Sequence, residues 1–332
     1  MGSGARVTLA DVAKAAGVDV SLVSRVLRGE TVRLREETRD RIRHHAETLG
    51  YRPNAIARSL RSSHAGAYGL IIPDFTNPVF AQIIAGAETA AARRNSVMMT
   101  ASGAGWDRAH WYEALDGGRV DGLLIAGGSA IDLANLRVPY ILVNRTFSGV
   151  ERYVVLDDSK AGQMAIEHLV ALGHRDVVFL GGPTVADTAT RRREGYRTAL
   201  TAAGLTLRPE LEVQGDYTAS GGRDAIRAGI ESGLEFTAVV AANLPSALGA
   251  LEALRDAGRS VPHDVSVVAI HDAEIADFVN PRLTTVRMPL TELGARAIEL
   301  ISTTPATDTI TEVVAEPMDL VVRESTGPAP AR

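Results

Sequence analysis

The chain of 332 residues has no cysteine, which excludes disulfides, thiolate metal sites and cysteine nucleophiles and suits a reducing compartment. Lysine is almost as scarce. Only Lys14 and Lys160 occur among 35 basic residues, and so strong a preference for arginine reads as codon bias more than as a site. No apolar run approaches the ~18 residues that suggest a membrane span, and the first residues lack a charged-then-apolar leader, so no membrane association and a cytoplasmic location are expected. Neither a Gly-rich phosphate loop, nor paired metal-ligand histidines, nor a nucleophile elbow can be found. The adjacent His44 and His45 fall on a solvated helical face. Enzymatic activity, a cofactor and a metal are therefore not expected.

What the chain does have is segregated charge. Residues 1–65 carry 12 Lys/Arg against 7 Asp/Glu, a net of +5, within a chain whose overall net charge is −5. A basic end on an acidic body is what a polyanion-binding head requires. Within it, TLADVAKAAGVDVSLVSRVLRG (8–29) reads as two short amphipathic helices about a glycine turn. Thr8 caps the first helix with Asp11 at N3, and Leu9, Val12, Ala13 and Ala16 share one face. Gly17 makes the turn, and Asp19 caps a second helix with Val23, Val26 and Leu27 inward. Val20, Ser21, Ser24, Arg25 and Arg28 are left on the outer face, free to enter a major groove. An isolated pair of this kind would read as a plain αα-hairpin. Here a third helix, Glu36 to Leu49 with Ile42, Ala46 and Leu49 on one stripe, completes a small core.

After a linker rich in Ser and Gly the pattern changes. Short apolar runs (AYGLIIP, SVMMTA, VDGLLIAG, PYILVN) alternate with helical segments, and a second set starts near Tyr153 with DVVFLGG, TAVVAA and VSVVAI. This is the pattern of parallel sheets with crossover helices, and two α/β lobes with a cleft between them are expected. The predicted organisation is a small all-α helix-turn-helix head (6–52), a hinge helix and linker (53–65), a two-lobe α/β domain (66–324) and a disordered STGPAPAR tail (325–332).

Through the helix-turn-helix string, ETRDRI, LGYRPNAIARSL and PDFTNPVF, the chain resembles the lac repressor/galactose repressor family of bacterial transcription regulators over essentially its whole length. The resemblance implies a periplasmic-binding-protein-like sensor domain whose chain crosses between lobes more than once. LTTVRM and the helix from Pro289 to Ser302 would return to the first lobe, and a last strand near Met318 to Val322 to the second. It also implies a homodimer on double-stranded operator DNA. Arg25 then sits at the family's base-contacting position, where a guanidinium can bond guanine O6 and N7 together. Val20 and Ser21 occupy positions that vary with operator sequence. Thr8, Leu9, Ser24, Tyr51 and Asn54 match positions that touch the backbone or seat the head. Leu22 departs from the usual Thr or Ser, which costs a phosphate contact. Asn54 to Arg61, including Ala57, is too short for a stable isolated helix. In the family this segment folds in the minor groove, where the residue at the position of Leu60 wedges between base pairs.

For the effector, the candidates are residues just past the strand ends. They are Asp74, Phe75, Phe80, Asn144 and Arg145 from the first lobe, while from the second the resemblance implies Arg192, Tyr217, Asn243 and His271, which match the family's effector-contacting positions. Aromatic faces with planar polar groups suit a sugar-like effector. Relatives usually carry Asp at Asn144 and His271, so two carboxylate acceptors are missing there, and they carry Asn-Asp where this chain has Asn243-Leu244. Histidine beside Arg192 would make the cleft less hostile to negative charge, and an acidic or phosphorylated sugar becomes an expectation beside a neutral one. The implied function is an effector-controlled repressor. The alternative is a corepressor-dependent regulator that responds to a non-sugar metabolite, and sequence does not separate corepressor from inducer logic. A transporter's solute-binding protein shares the lobes but not the basic head or the missing leader.

Overall fold

The computed structural model describes residues 7–27, 29–52, 64–102, 113–127, 133 and 136–331. The chain divides into two compact units, Met1–Ala65 and Gly66–Arg332.

The first unit holds α1 (Leu9–Ala16), α2 (Val20–Leu27) and α3 (Glu36–Thr48). The first turn is fixed by a reciprocal cap, in which the Thr8 amide donates to Asp11 Oδ2 (2.8 Å) and the Asp11 amide to Thr8 Oγ1 (3.4 Å). Gly17 ends α1 at φ 62°, a left-handed conformation that glycine adopts without strain. Two residues later Asp19 Oδ1 accepts from the Ser21 amide (2.8 Å) and starts α2. Val12, Ala13, Ala16, Val23, Val26, Ile42 and Ala46 form the buried core, with Leu9, Leu22, Leu27 and Tyr51 packed against it. Leu22, half-buried, thus adds its apolar side chain to the edge of this core. Arg41 Nε ties α3 to the turn through the Ala16 carbonyl (3.1 Å).

The described residues of the second unit form two six-stranded sheets. The first has the order β11-β5-β4-β3-β1-β2, from β1 (Ala67–Ile72), β2 (Val97–Ser102), β3 (Gly122–Ile125), β4 (Tyr140–Val143), β5 (Arg152–Leu156) and β11 (Ile310–Val314). All its pairings are parallel. The second has the order β12-β10-β9-β8-β6-β7, from β6 (Val177–Gly181), β7 (Glu212–Gln214), β8 (Ala238–Ala241), β9 (Ser266–Ile270), β10 (Thr284–Arg287) and β12 (Asp319–Val321). Only its β10–β12 pair is antiparallel. The central strands β1, β3, β6, β8 and β9 are buried on both faces, which explains their unbroken apolar sequences.

Helices α4 (Pro78–Ala92) and α9 (Leu290–Thr303) cover the first sheet, while α5 (Asp158–Ala171), α6 (Asp187–Ala202), α7 (Ala219–Glu231) and α8 (Leu244–Asp256) belong with the second. The α5–α6 pair crosses at two glycines that face each other. A Cβ on Gly162 would lie 2.5 Å from the Arg192 carbonyl, and one on Gly195 would lie 2.0 Å from the Ser159 carbonyl. That approach sets the N-terminal turn of α5 against the arginines of α6.

Three sequence expectations need correction. The strand at Tyr153 does not open the second lobe, because β5 pairs with β4 and β11 in the first sheet. LTTVRM does not return to the first lobe, because β10 pairs with β9 and β12 in the second. Alternation and burial identify a strand but not the sheet it joins. The return starts with the helix after it, α9, which packs on α4 and leads to β11 in the first sheet. Nor is the tail disordered. Ser325 is fully buried, its Oγ donating to the Val267 carbonyl (2.6 Å) and accepting from the Thr284 amide (2.8 Å). His174 Nε2 donates to the Gly327 carbonyl (3.1 Å), and the Ala329 amide bonds the Leu172 carbonyl (2.9 Å). Small polar residues that look like linker in composition here satisfy buried backbone groups of β9 and β10.

Candidate functional site

On the head, α2 presents Val20, Ser21 and Arg25 to solvent, with Ser24 half-buried beside them. Arg25 Nε contacts Glu30 Oε2 at 3.2 Å, with both side chains about half exposed. An ion pair so hydrated contributes ~0–1 kcal/mol and is readily exchanged for a stronger partner. Thr8 and Leu9 stand at the start of α1, and Tyr51 is half-buried against the head core, its amide bonded to the Ala46 carbonyl (2.8 Å). Asn54, Ala57 and Leu60 lie outside the described residues, as does Arg28.

In the second unit the parallel sheets bring the carboxyl ends of β1 and β4, and of β6, β8 and β9, to common edges. The second-lobe candidates meet there. Arg192 on α6 is buried, with Nε on Asp158 Oδ1 (2.7 Å), Nη1 on the Ala242 carbonyl and Nη2 on His271 Nε2 (2.6 Å). Tyr217 lies flat over Gly182, where an added Cβ would fall 2.2 Å from its ring. Its hydroxyl meets Thr188 Oγ1 (3.0 Å), and the Arg192 guanidinium stands 5.9 Å from the ring centre. Burial pushes the Tyr217 hydroxyl above its ordinary pKa, so it remains protonated. Asn243 is nearby but committed at both ends of its amide, since Oδ1 caps α8 through the Ser246 amide (3.0 Å) and Nδ2 donates to the Tyr217 carbonyl (2.7 Å).

The first-lobe candidates divide differently. Asp74 Oδ1 accepts from the Thr76 amide and hydroxyl and from the Asn77 amide, and so organises the turn before α4. Phe80 is a core residue and Phe75 is exposed. Arg145 lies over the Phe147 ring at 4.1 Å. Asn144 has φ 57° and a buried Oδ1 with no partner among the described residues. Left-handed backbone is costly for residues other than glycine and clusters at functional sites. The four described cases are Asn95, Asn144, Tyr217 and His271, three of them candidates here.

His271 corrects an expectation. Arg192 Nη2 can only donate, so His271 Nε2 accepts and the ring proton sits on Nδ1. Complete burial, and then the Arg192 charge, hold the ring's pKa well below the ordinary histidine value. A neutral imidazole offers no positive charge to an anionic sugar, and Arg192 is already paired with Asp158. Asp272 is no spare acceptor either. It bonds Thr285, Arg287 and Arg323 through its side chain.

Several residues that sequence reasoning passed over tie the site together. Asp158, fully buried at the start of α5, pairs with both Arg191 and Arg192. Asp187 pairs with Arg191 and also accepts from the Thr146 amide (2.8 Å) and hydroxyl (3.1 Å), joining the second lobe to the first. Gln82 Nε2 makes a second bridge, to the Asp272 carbonyl (2.7 Å). The Asp157-Asp158 pair directly after a buried strand was the available signal, by the same strand-end rule that picked out Asn144.

Residues 8–54 match the bacterial regulatory proteins of the lacI family, and residues 166–326 match a periplasmic binding protein-like domain. Catabolite control protein A of Priestia megaterium is 30% identical across 96% of this chain and 99% of its own length. The chain belongs to the lacI family of bacterial regulatory proteins. Among solved members, the transcriptional regulator CelR–cellobiose complex is 31% identical with a TM-score of 0.73, covering 96% of this chain and 100% of that one. The lac repressor dimer bound to operator and the anti-inducer ONPF is 26% identical with a TM-score of 0.85, covering 97% and 99%. The relatives named here are thus regulators. Among the described residues of this member, no cluster of three or more His, Asp or Glu is placed to hold a metal ion, and no helix is long and apolar enough to cross a membrane.

Proposed function

We propose that the protein is a homodimeric transcriptional repressor that reads operator DNA through α2 and is controlled by a small sugar-like molecule bound between the two lobes. One observation carries this reading: a helix-turn-helix with an exposed Arg25 shares its chain with two lobes, the second of which gathers Arg192, Tyr217 and His271 into one cluster. Arg25 reads a G·C pair in each half-site, Val20 and Ser21 set the neighbouring preference, and Thr8, Leu9, Ser24 and Tyr51 fix register on the phosphates. The 53–65 hinge adds minor-groove contacts, with Asn54 and Ala57 along it and Leu60 as the wedge. CelR was solved with cellobiose and the lac repressor with ONPF, and the aromatic and planar polar groups here suit ligands of that kind.

A gel shift with the DNA upstream of the protein's own reading frame, with and without a panel of sugars, tests the reading. A shifted complex that one sugar dissolves marks an inducer, and one that appears only with a sugar marks a corepressor. A protein that shifts its own upstream DNA no better than random DNA, whatever sugar is present, is not this kind of regulator.

A further inference from the structure

The second-lobe site contains a relay in which each link fixes the next. Asp158 is fully buried and its carboxylate accepts from Arg192 Nε at 2.7 Å and from Arg191 Nη2 at 2.5 Å. Arg192, itself 2% exposed, then spends Nη2 on His271 Nε2. Because a guanidinium cannot accept, the imidazole proton is left on Nδ1, and that buried N–H has no partner among the described residues. On the other lobe Asn144 Oδ1 is a buried acceptor equally without one. An unsatisfied buried polar atom is destabilising and persists where something else is meant to complete it.

We propose that Asp158 sets the hydrogen-bonding polarity of the effector site: by neutralising Arg192 it lets that guanidinium hold His271 as a neutral Nδ1–H donor, selecting an uncharged ligand that presents an acceptor oxygen to His271. The inference rests on the effector reading above. His271 thus presents a donor to the ligand. The matching ligand atom is a ring, glycosidic or carbonyl oxygen, or a hydroxyl turned to accept, while Asn144 Oδ1 accepts from a hydroxyl. Charge agrees with this. Arg191 and Arg192 face Asp158 and Asp187, two cations against two carboxylates. Asp272, next in sequence to His271, is held by Arg287 from β10 and by Arg323 beyond β12. Among these described second-lobe groups each cation thus has a carboxylate partner.

Two readouts on the full-length protein test the proposal. The first is long-range proton–nitrogen NMR of protein labelled with 15N-histidine, with His271 assigned through His271→Gln. A ring protonated at Nδ1, bare at Nε2 and unchanged between pH 6 and 8 supports the relay, whereas a proton on Nε2 or a titration in that window overturns it. The second is calorimetry with matched probes, cellobiose against cellobionate and D-ribose against D-ribonate. The neutral member should bind at least tenfold tighter than its acid. Asp158→Asn, which uncovers the charge of Arg192, should shift that ratio toward the acid by about tenfold. Tighter binding of the acid to the unaltered protein, or an unshifted ratio in the variant, overturns the proposal. Should Asp158→Asn not fold, the NMR of the unaltered protein decides. If none of the four probes binds, the sugar-effector reading loses its support, and the tautomer is still decided by NMR.

Discussion

Removing the Asp158 side chain is the perturbation whose cost can be worked most directly from the structure. The carboxylate has no exposed surface, and Arg192 opposite it is 3% exposed at its side chain, so Asp158→Ala leaves a buried guanidinium without its counter-ion. Breaking a buried ion pair from one side costs ~3–5 kcal/mol. Arg191 adds little to that figure, being more exposed and keeping Asp187 as a partner. In a folded unit of this size each kcal/mol lowers Tm by ~2–4 °C, so a fall on the order of 10 °C is expected by scanning calorimetry at pH 7.5 and fixed protein concentration. The neighbouring Asp157 supplies the control. It caps α5 through the Lys160 amide (2.9 Å) without joining the arginine cluster, and Asp157→Ala should cost only ~1 kcal/mol. Replacing the charges together, as Asp158→Leu with Arg192→Met, should recover part of the loss, since well-packed apolar groups often substitute for a buried pair. Equal melting points for Asp158→Ala and Asp157→Ala would refute the argument that burial of charge, rather than helix capping, is what Asp158 contributes.

Other predictions concern the hinge, the tail and pH. Leu60→Ala should lose operator affinity and DNA bending while keeping salt-sensitive binding to random DNA, checked by fluorescence anisotropy on both duplexes; equal losses on the two would argue against a wedge. Truncation after Glu324 removes the buried bonds of Ser325 and Gly327 and should cost ~3 kcal/mol, read as a lower urea midpoint, and an unchanged midpoint would contradict the packed tail. Burial lowers the pKa of His168, His174 and His271 in the folded state. The unfolded chain therefore takes up protons first, and this part of the stability is fully present above about pH 6.5 and lost as pH falls toward the folded values. Tm should decline from pH 7 to 5.5, and His271→Asn should flatten the decline; a Tm that rises over that range would reverse the assignment.

Much of this architecture was legible from residue pattern because the physics is local. The cap at Thr8 and Asp11, the glycine turn, the inward Val23 and Val26 and the exposed Arg25 all follow from helical spacing within a few residues. Parallel sheets announced themselves through strands apolar on both faces, and the family resemblance brought Arg192, Tyr217 and His271 forward as a group. Long-range pairings were not legible. Nothing in VVLDD tells that β5 completes the first sheet or that Asp158 reaches Arg192, 34 positions away. The edge strand β11 alternates in burial, but it sets Glu312 on the more buried face and Val313 on the exposed one, so no apolar alternation marks it in the sequence. The protonation of His271 was misjudged because it depends on which ring nitrogen Arg192 meets and on complete burial, and neither is written in the residue itself.

The central claim is that α2 reads a specific, two-fold symmetric duplex. Selection from random DNA with the full-length protein, run beside Arg25→Ala, tests it most directly. The account predicts an inverted-repeat consensus with a G·C pair in each half-site. For the variant it predicts that preference at this pair relaxes and that affinity falls by ~1–3 kcal/mol per half-site. Recovery of no consensus, or of the same consensus with the same strength from the Arg25→Ala variant, would contradict it.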